Sequence, residues 1–146
     1  MKATCVCILA AIIAIKADQA EGNRESVFIH FERYAVNEGD PGAVARVRVD
    51  RVGLANRRTT VSYSLLEDTA TAGDDFDGIP GTVTFEADER TQYIRIPIFD
   101  DSELESNEMF EVRLDHTDNG SLGETRQVAV YIMDDELKAY LQANQR

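Results

Sequence analysis

The chain has 146 residues, 43% of them hydrophobic, which suits one domain with a packed core. Its formal net charge of −12 and pI near 4.5 argue against nucleic acid and anionic lipid as partners, since both require clustered Lys and Arg. Cations are the partners that such a surface attracts.

In chain order, Lys2 precedes an apolar run from Cys5 to Ile15, long enough for a secretory signal and too short to span a bilayer. Residues 1–20 therefore read as a signal peptide, cleaved after Ala17 or Ala20, with no transmembrane segment beyond it. The expected location is secreted and extracellular. Cys5 and Cys7 are the only cysteines, and both fall within this segment. The mature chain would then lack disulfides and rest on its core or on a bound metal. Asn119-Gly120-Ser121 is a glycosylation sequon, consistent with export.

Beyond the signal, apolar residues alternate with polar ones along seven short runs. Val27, Ile29 and Phe31 mark the first, and Ala45, Val47 and Val49 the second. Val61, Tyr63 and Leu65 follow, then Val83 and Phe85, then Ile94, Ile96 and Ile98. Phe110, Val112 and Leu114 make the sixth; Val128, Val130 and Ile132 the last. Period-2 alternation of β-branched and aromatic residues marks half-buried strands, and Gly, Asp, Asn and Pro punctuate the gaps. The pattern predicts a seven-stranded antiparallel immunoglobulin-like β-sandwich, one domain over 27–136. Pro97 predicts an edge or a bulge for the fifth strand. The tail, 137–146, can form a short helix with Leu137, Tyr140 and Leu141 on one face.

If consecutive strands run antiparallel, the odd-numbered ones all finish at one end. The segments gathered there hold Glu38 and Asp40; Asp74, Asp75 and Asp77; Asp100, Asp101, Glu103, Glu105 and Glu108; and Asp134, Asp135 and Glu136. None of these stretches contains Lys or Arg. The opposite end holds Arg51, Arg57, Arg58 and Arg90. Each like-charge pair at ~4 Å costs on the order of 1–4 kcal/mol. Proton sharing relieves a pair or two, not a cluster of this size near pH 7. A hard divalent cation relieves it, and Ca2+ prefers oxygen ligands offered by loops. The absence of Cys and His from these segments argues against zinc and copper. Mg2+ demands a stricter octahedron. Asp40, Asp74 and Asp77 read as turn-formers.

The stretches "TATAGDDF" (69–76), "GTVTF" (81–85), "IPIFDDSELESNEMFEVRL" (96–114) and "VYIMDDE" (130–136) resemble, in order and spacing, the Calx-beta domain. That family comprises calcium-binding regulatory domains of sodium–calcium exchangers and modules of extracellular matrix and adhesion proteins. The resemblance implies calcium ligation by Glu38, Asp75, Asp100, Asp101, Glu105, Glu108, Asp134 and Asp135, with Glu136 closing the terminal acidic run. It also implies a main-chain oxygen from Glu103. Ser102 stands where a third Asp is common, and Glu136 where the closing triplet is often all Asp.

Catalysis is not expected. The chain has no Trp to line a glycan cleft, no nucleophile–base–orienter set, no phosphate loop, and no mid-loop Gly of an EF-hand in "DDSELESNE". The leading expectation is a secreted calcium-binding module whose ions, one or more, rigidify one end for adhesion or matrix interaction with a protein or glycan. A calcium-sensing regulatory domain is the alternative, and a β-sandwich binding module without metal is a third.

Overall fold

The computed structural model of the chain describes residues 24–30, 32–101 and 104–144, the side chains of Leu137 and Lys138 excepted. The expected signal peptide, Phe31, Ser102 and Glu103 lie outside the described residues.

Among the described residues nine strands form two stacked sheets. They are β1 (Ser26–Ile29), β2 (Tyr34–Asn37), β3 (Val44–Val52), β4 (Thr59–Glu67), β5 (Gly81–Phe85), β6 (Thr91–Pro97), β7 (Glu108–Thr117), β8 (Ser121–Leu122) and β9 (Gln127–Met133). One sheet has the order β6-β3-β1-β8 and the other β2-β9-β7-β4-β5. The alternating residues do what their period dictates. Val27, Ile29, Val47, Val49, Val61, Phe85, Ile94, Ile96, Phe110, Val112, Leu114, Val130 and Ile132 point inward and form one core.

The sandwich is as expected, but the strand count is not. The first predicted strand supplies β1, which pairs antiparallel with β3; β2 is an addition, across in the other sheet, where it runs parallel to β9. Tyr34 supports the crossing, its hydroxyl donating to the His30 carbonyl at 2.7 Å and accepting from the Arg48 N–H at 3.3 Å. The two-residue β8 pairs parallel with β1, so the sandwich is not wholly antiparallel. Four and two residues are too few for alternation to register. Pro97 does sit on an edge strand, β6, where its missing N–H breaks no ladder.

Arg51 corrects a second expectation. It is a β3 residue only 1% exposed, not a cation on the loop after it. Its guanidinium donates to the carbonyls of Ala55, Arg57, Glu86 and Glu89 and to the Thr59 hydroxyl, and lies 3.5 Å from Glu25. Arg58 nearby pairs with Glu86 at 3.3 Å. The end opposite the acidic loops is therefore mixed in charge, and the molecule is less polarised than the sequence suggests.

A helix, α1 (Glu136–Ala143), follows β9. Tyr140 and Leu141 on it are exposed; the side chain of Leu137 lies outside the described residues. Among the described residues no helix is long and apolar enough to cross a membrane.

Candidate metal centre

Strand direction delivers the carboxylates. Because β2 and β9 are parallel and in register, Asn37 opposite Met133, the residues that follow them emerge together. The Glu38 N–H donates to the Met133 carbonyl at 3.3 Å, which sets Glu38 beside Asp134. Glu108, the first residue of β7, lies opposite Ile132 near the same end of β9. Asp75 arrives from the β4–β5 connection on the adjoining Phe76, whose ring stacks on Phe110 with centroids 4.0 Å apart. The Phe99 N–H then donates to the Asp75 carbonyl at 2.9 Å, joining that connection to the one between β6 and β7.

The outcome among the described residues is three groups of carboxylates, each with oxygens within 4.8 Å of one another: Glu38, Asp134 and Glu136; Asp75, Glu105 and Glu108; Asp100, Asp135 and Glu136. Glu136 belongs to two of them. Asp101 belongs to none, but its charge acts on both Glu38 and Glu108. Glu103 lies outside the described residues. Asp40, Asp74 and Asp77 stay out of these groups, and Asp77 caps its own turn by accepting from the Ile79 N–H at 3.2 Å.

The electrostatic cost is visible in the titration of Glu38 and Glu108. Burial, then the charges of Asp134, Glu136, Asp101 and Glu105, push Glu38 up to about 7. Burial, then Asp75 through its charge and a hydrogen bond, push Glu108 up to about 7. Each resists ionisation because burial first, and the carboxylates beside it second, disfavour the anion.

Supporting residues also appear that the sequence did not single out. The Asn107 side-chain carbonyl accepts from the Asp134 N–H at 3.3 Å, and the Asp134 carboxylate accepts from the Glu105 N–H. At Gly39 a Cβ would lie 2.2 Å from Asp135 Oδ2, so only glycine lets that carboxylate rest against the backbone. The only signal for Gly39 was its place in a turn next to Glu38; Asn107 had none.

A model of the Calx-beta domain matches residues 21–136. The chain belongs to the Calx-beta family. The Drosophila melanogaster sodium/calcium exchanger Calx is 35% identical over 91 residues, covering 62% of this chain and 10% of the exchanger. Adhesion G-protein coupled receptor V1 of Danio rerio is 32% identical over 114 residues, 76% of this chain and 2% of the receptor. Sodium/calcium exchanger 1 of Canis lupus familiaris is 30% identical over 117 residues, 68% of this chain and 12% of the exchanger. The Calx-beta chain thus spans a small part of each relative. Among solved structures, the apo form of the Calx CBD1 domain superimposes with a TM-score of 0.70 at 32% identity, covering 77% of this chain and 98% of that one. The calcium binding domain CBD12 of CALX1.1 gives 0.69 at 31% identity, covering 75% and 46%.

Whether the residues of this Calx-beta domain suit such an ion is a question of donors and space. The donors are oxygens throughout, hard ligands from several loops. Among the described residues Asp135 Oδ1 is buried without a hydrogen-bond partner, and a buried carboxylate oxygen left so calls for a cation. The set fits calcium.

Proposed function

We propose that this chain is a calcium-binding Calx-beta module whose acidic end takes one or more Ca2+ ions. Glu38, Asp75, Asp100, Asp101, Glu105, Glu108, Asp134, Asp135 and Glu136 hold them by side chain, and Glu103 by its carbonyl. The observation that carries the reading is the convergence of carboxylates from four separate parts of the chain, with Glu136 shared by two of the three groups they form. When bound, the ion supplies the positive charge that these groups lack. Gly39 and Asn107 position Asp135 and Asp134 for it. Loops that repel one another without metal are thereby joined.

We further propose that the module is secreted and that its stiffened end engages an extracellular protein or glycan. The apolar run from Cys5 to Ile15 supports export. Outside cells a site tuned to roughly 10⁻⁴ to 10⁻³ M is mostly filled and acts structurally. A calcium-sensing role is the second reading, favoured by the relatives that are exchangers. We assign no catalysis: Calx-beta is a regulatory calcium-binding fold and not a catalytic family.

Thermal unfolding in chelator and across a calcium titration tests this. A midpoint that climbs with calcium and barely with magnesium is expected, and linkage then yields the affinity. An affinity near millimolar supports the structural role and one near micromolar the sensor. Replacing Asp100 and Asp101 by Asn is expected to lower the midpoint in calcium and raise it in chelator. A midpoint indifferent to calcium removes both roles.

A further inference from the structure

The outer face of the β6-β3-β1-β8 sheet carries charge opposite in sign to the protein as a whole. Arg46 on β3 and Arg95 on β6 are direct cross-strand partners, and both are exposed. Two bonds fix the phase of the ladder: Ile98 N–H to the Ala43 carbonyl at 3.0 Å, and Arg51 N–H to the Arg90 carbonyl at 2.8 Å. Arg46 and Arg95 therefore form a non-hydrogen-bonded pair, the kind in which opposed side chains lie closest. Like charges so placed are destabilising. Among the described residues neither has a carboxylate within ion-pair distance, whereas Arg48 beside them is held by Asp50 at 2.9 Å. The Arg46 guanidinium lies over the Tyr93 ring, 4.9 Å from its centroid, which carries its charge from β3 across to β6.

The same phase turns the backbone N–H and C=O groups of Tyr93 and Arg95 outward, where among the described residues β6 has no neighbouring strand. The free edge stops at Pro97, whose carbonyl is taken by the Asp77 N–H at 2.9 Å. A charged edge keeps a sheet from pairing with its own copies, and that accounts for Arg95. It does not account for Arg46, which sits on an inner strand.

We propose that the β6 edge accepts an extended acidic polypeptide segment by strand addition. Its main chain pairs with Tyr93 and Arg95, and its Asp or Glu side chains meet Arg95 and Arg46. A sulfated glycan would satisfy the guanidinium groups but leave the outward N–H and C=O groups unused; a polypeptide answers both.

The probe is a fluorescein-labelled peptide of alternating Glu and Val, titrated with the chain in chelator and read by anisotropy, so that the outcome is independent of the metal reading. Binding is expected, with no binding of the corresponding Lys–Val peptide. N-methylation of the alternate amides that would face β6 is expected to weaken it at least tenfold. So is the double variant Arg46→Gln/Arg95→Gln, whose thermal midpoint stays level or rises because a like-charge contact is gone. No binding, binding that survives either change, or tighter binding of a heparin fragment with the same arginine dependence would overturn the proposal.

Discussion

At Gly39 a single hydrogen takes the place where any other side chain would meet the Asp135 carboxylate at 2.2 Å. Gly39→Ala is expected to displace Asp135, costing about 1–3 kcal/mol as overpacking does. The fall in thermal midpoint should be larger in calcium than in chelator; equal falls in both would separate Gly39 from the metal. Arg51 poses a different question. Its charge is matched inside the protein by Glu25, which is 5% exposed. Arg51→Met leaves that carboxylate buried and unpaired, an effect of about 3–5 kcal/mol. Denaturant unfolding of Arg51→Met and of the Arg51→Met/Glu25→Gln pair checks this, the pair being expected to lose less. Neither residue was legible. Arg51 keeps the inward phase of β3 two residues after Val49, but its charge disguises it, and its partners come from three other stretches of chain. The carboxylates were legible because their density without Lys or Arg is itself improbable on energetic grounds.

Elements show the same division. Runs such as Val47–Val49 and Ile94–Ile96 extend over enough residues for their period to speak, and they fall where expected. β2 escaped because four residues carry no period of their own and because its partner, β9, is about a hundred residues away in the chain. Yet β2 is what sets Glu38 beside Asp134, and that pairing is the part of the arrangement that the sequence did not disclose. The Phe76–Phe110 stack does comparable service for Asp75. Phe110→Ala is expected to cost about 3–5 kcal/mol, and the remaining stability should respond less to calcium because the Asp75 connection is no longer held against β7. A calcium response equal to that of the parent chain would show that the stack is core packing alone.

Over the whole molecule the acidic end makes stability depend on pH in a direction opposite to ordinary salt-bridged proteins. Glu38 and Glu108 each rise from 4.5 to about 7 in the folded chain. Folding therefore favours their protonated forms. Their contribution is complete below about pH 4.5 and is lost as pH rises through about 7. In chelator the thermal midpoint is expected to fall between about pH 5 and about pH 8. In calcium the fall should vanish or reverse, since the ionised carboxylates are the ones that ligate. A midpoint in chelator that climbs over this window would mean that the cluster does not govern stability.

The parallel pairing of β2 with β9 also has a mechanical meaning. Tension carried along the backbone draws β2 toward its beginning and β9 toward its end. For parallel neighbours these directions are opposite, so the load acts along the ladder in shear and falls on all of its hydrogen bonds at once, instead of opening them one by one. An ion held jointly by Glu38 and Asp134 would fasten the two strands at one end of that ladder, and calcium would then raise the force the domain withstands more than its equilibrium stability alone suggests.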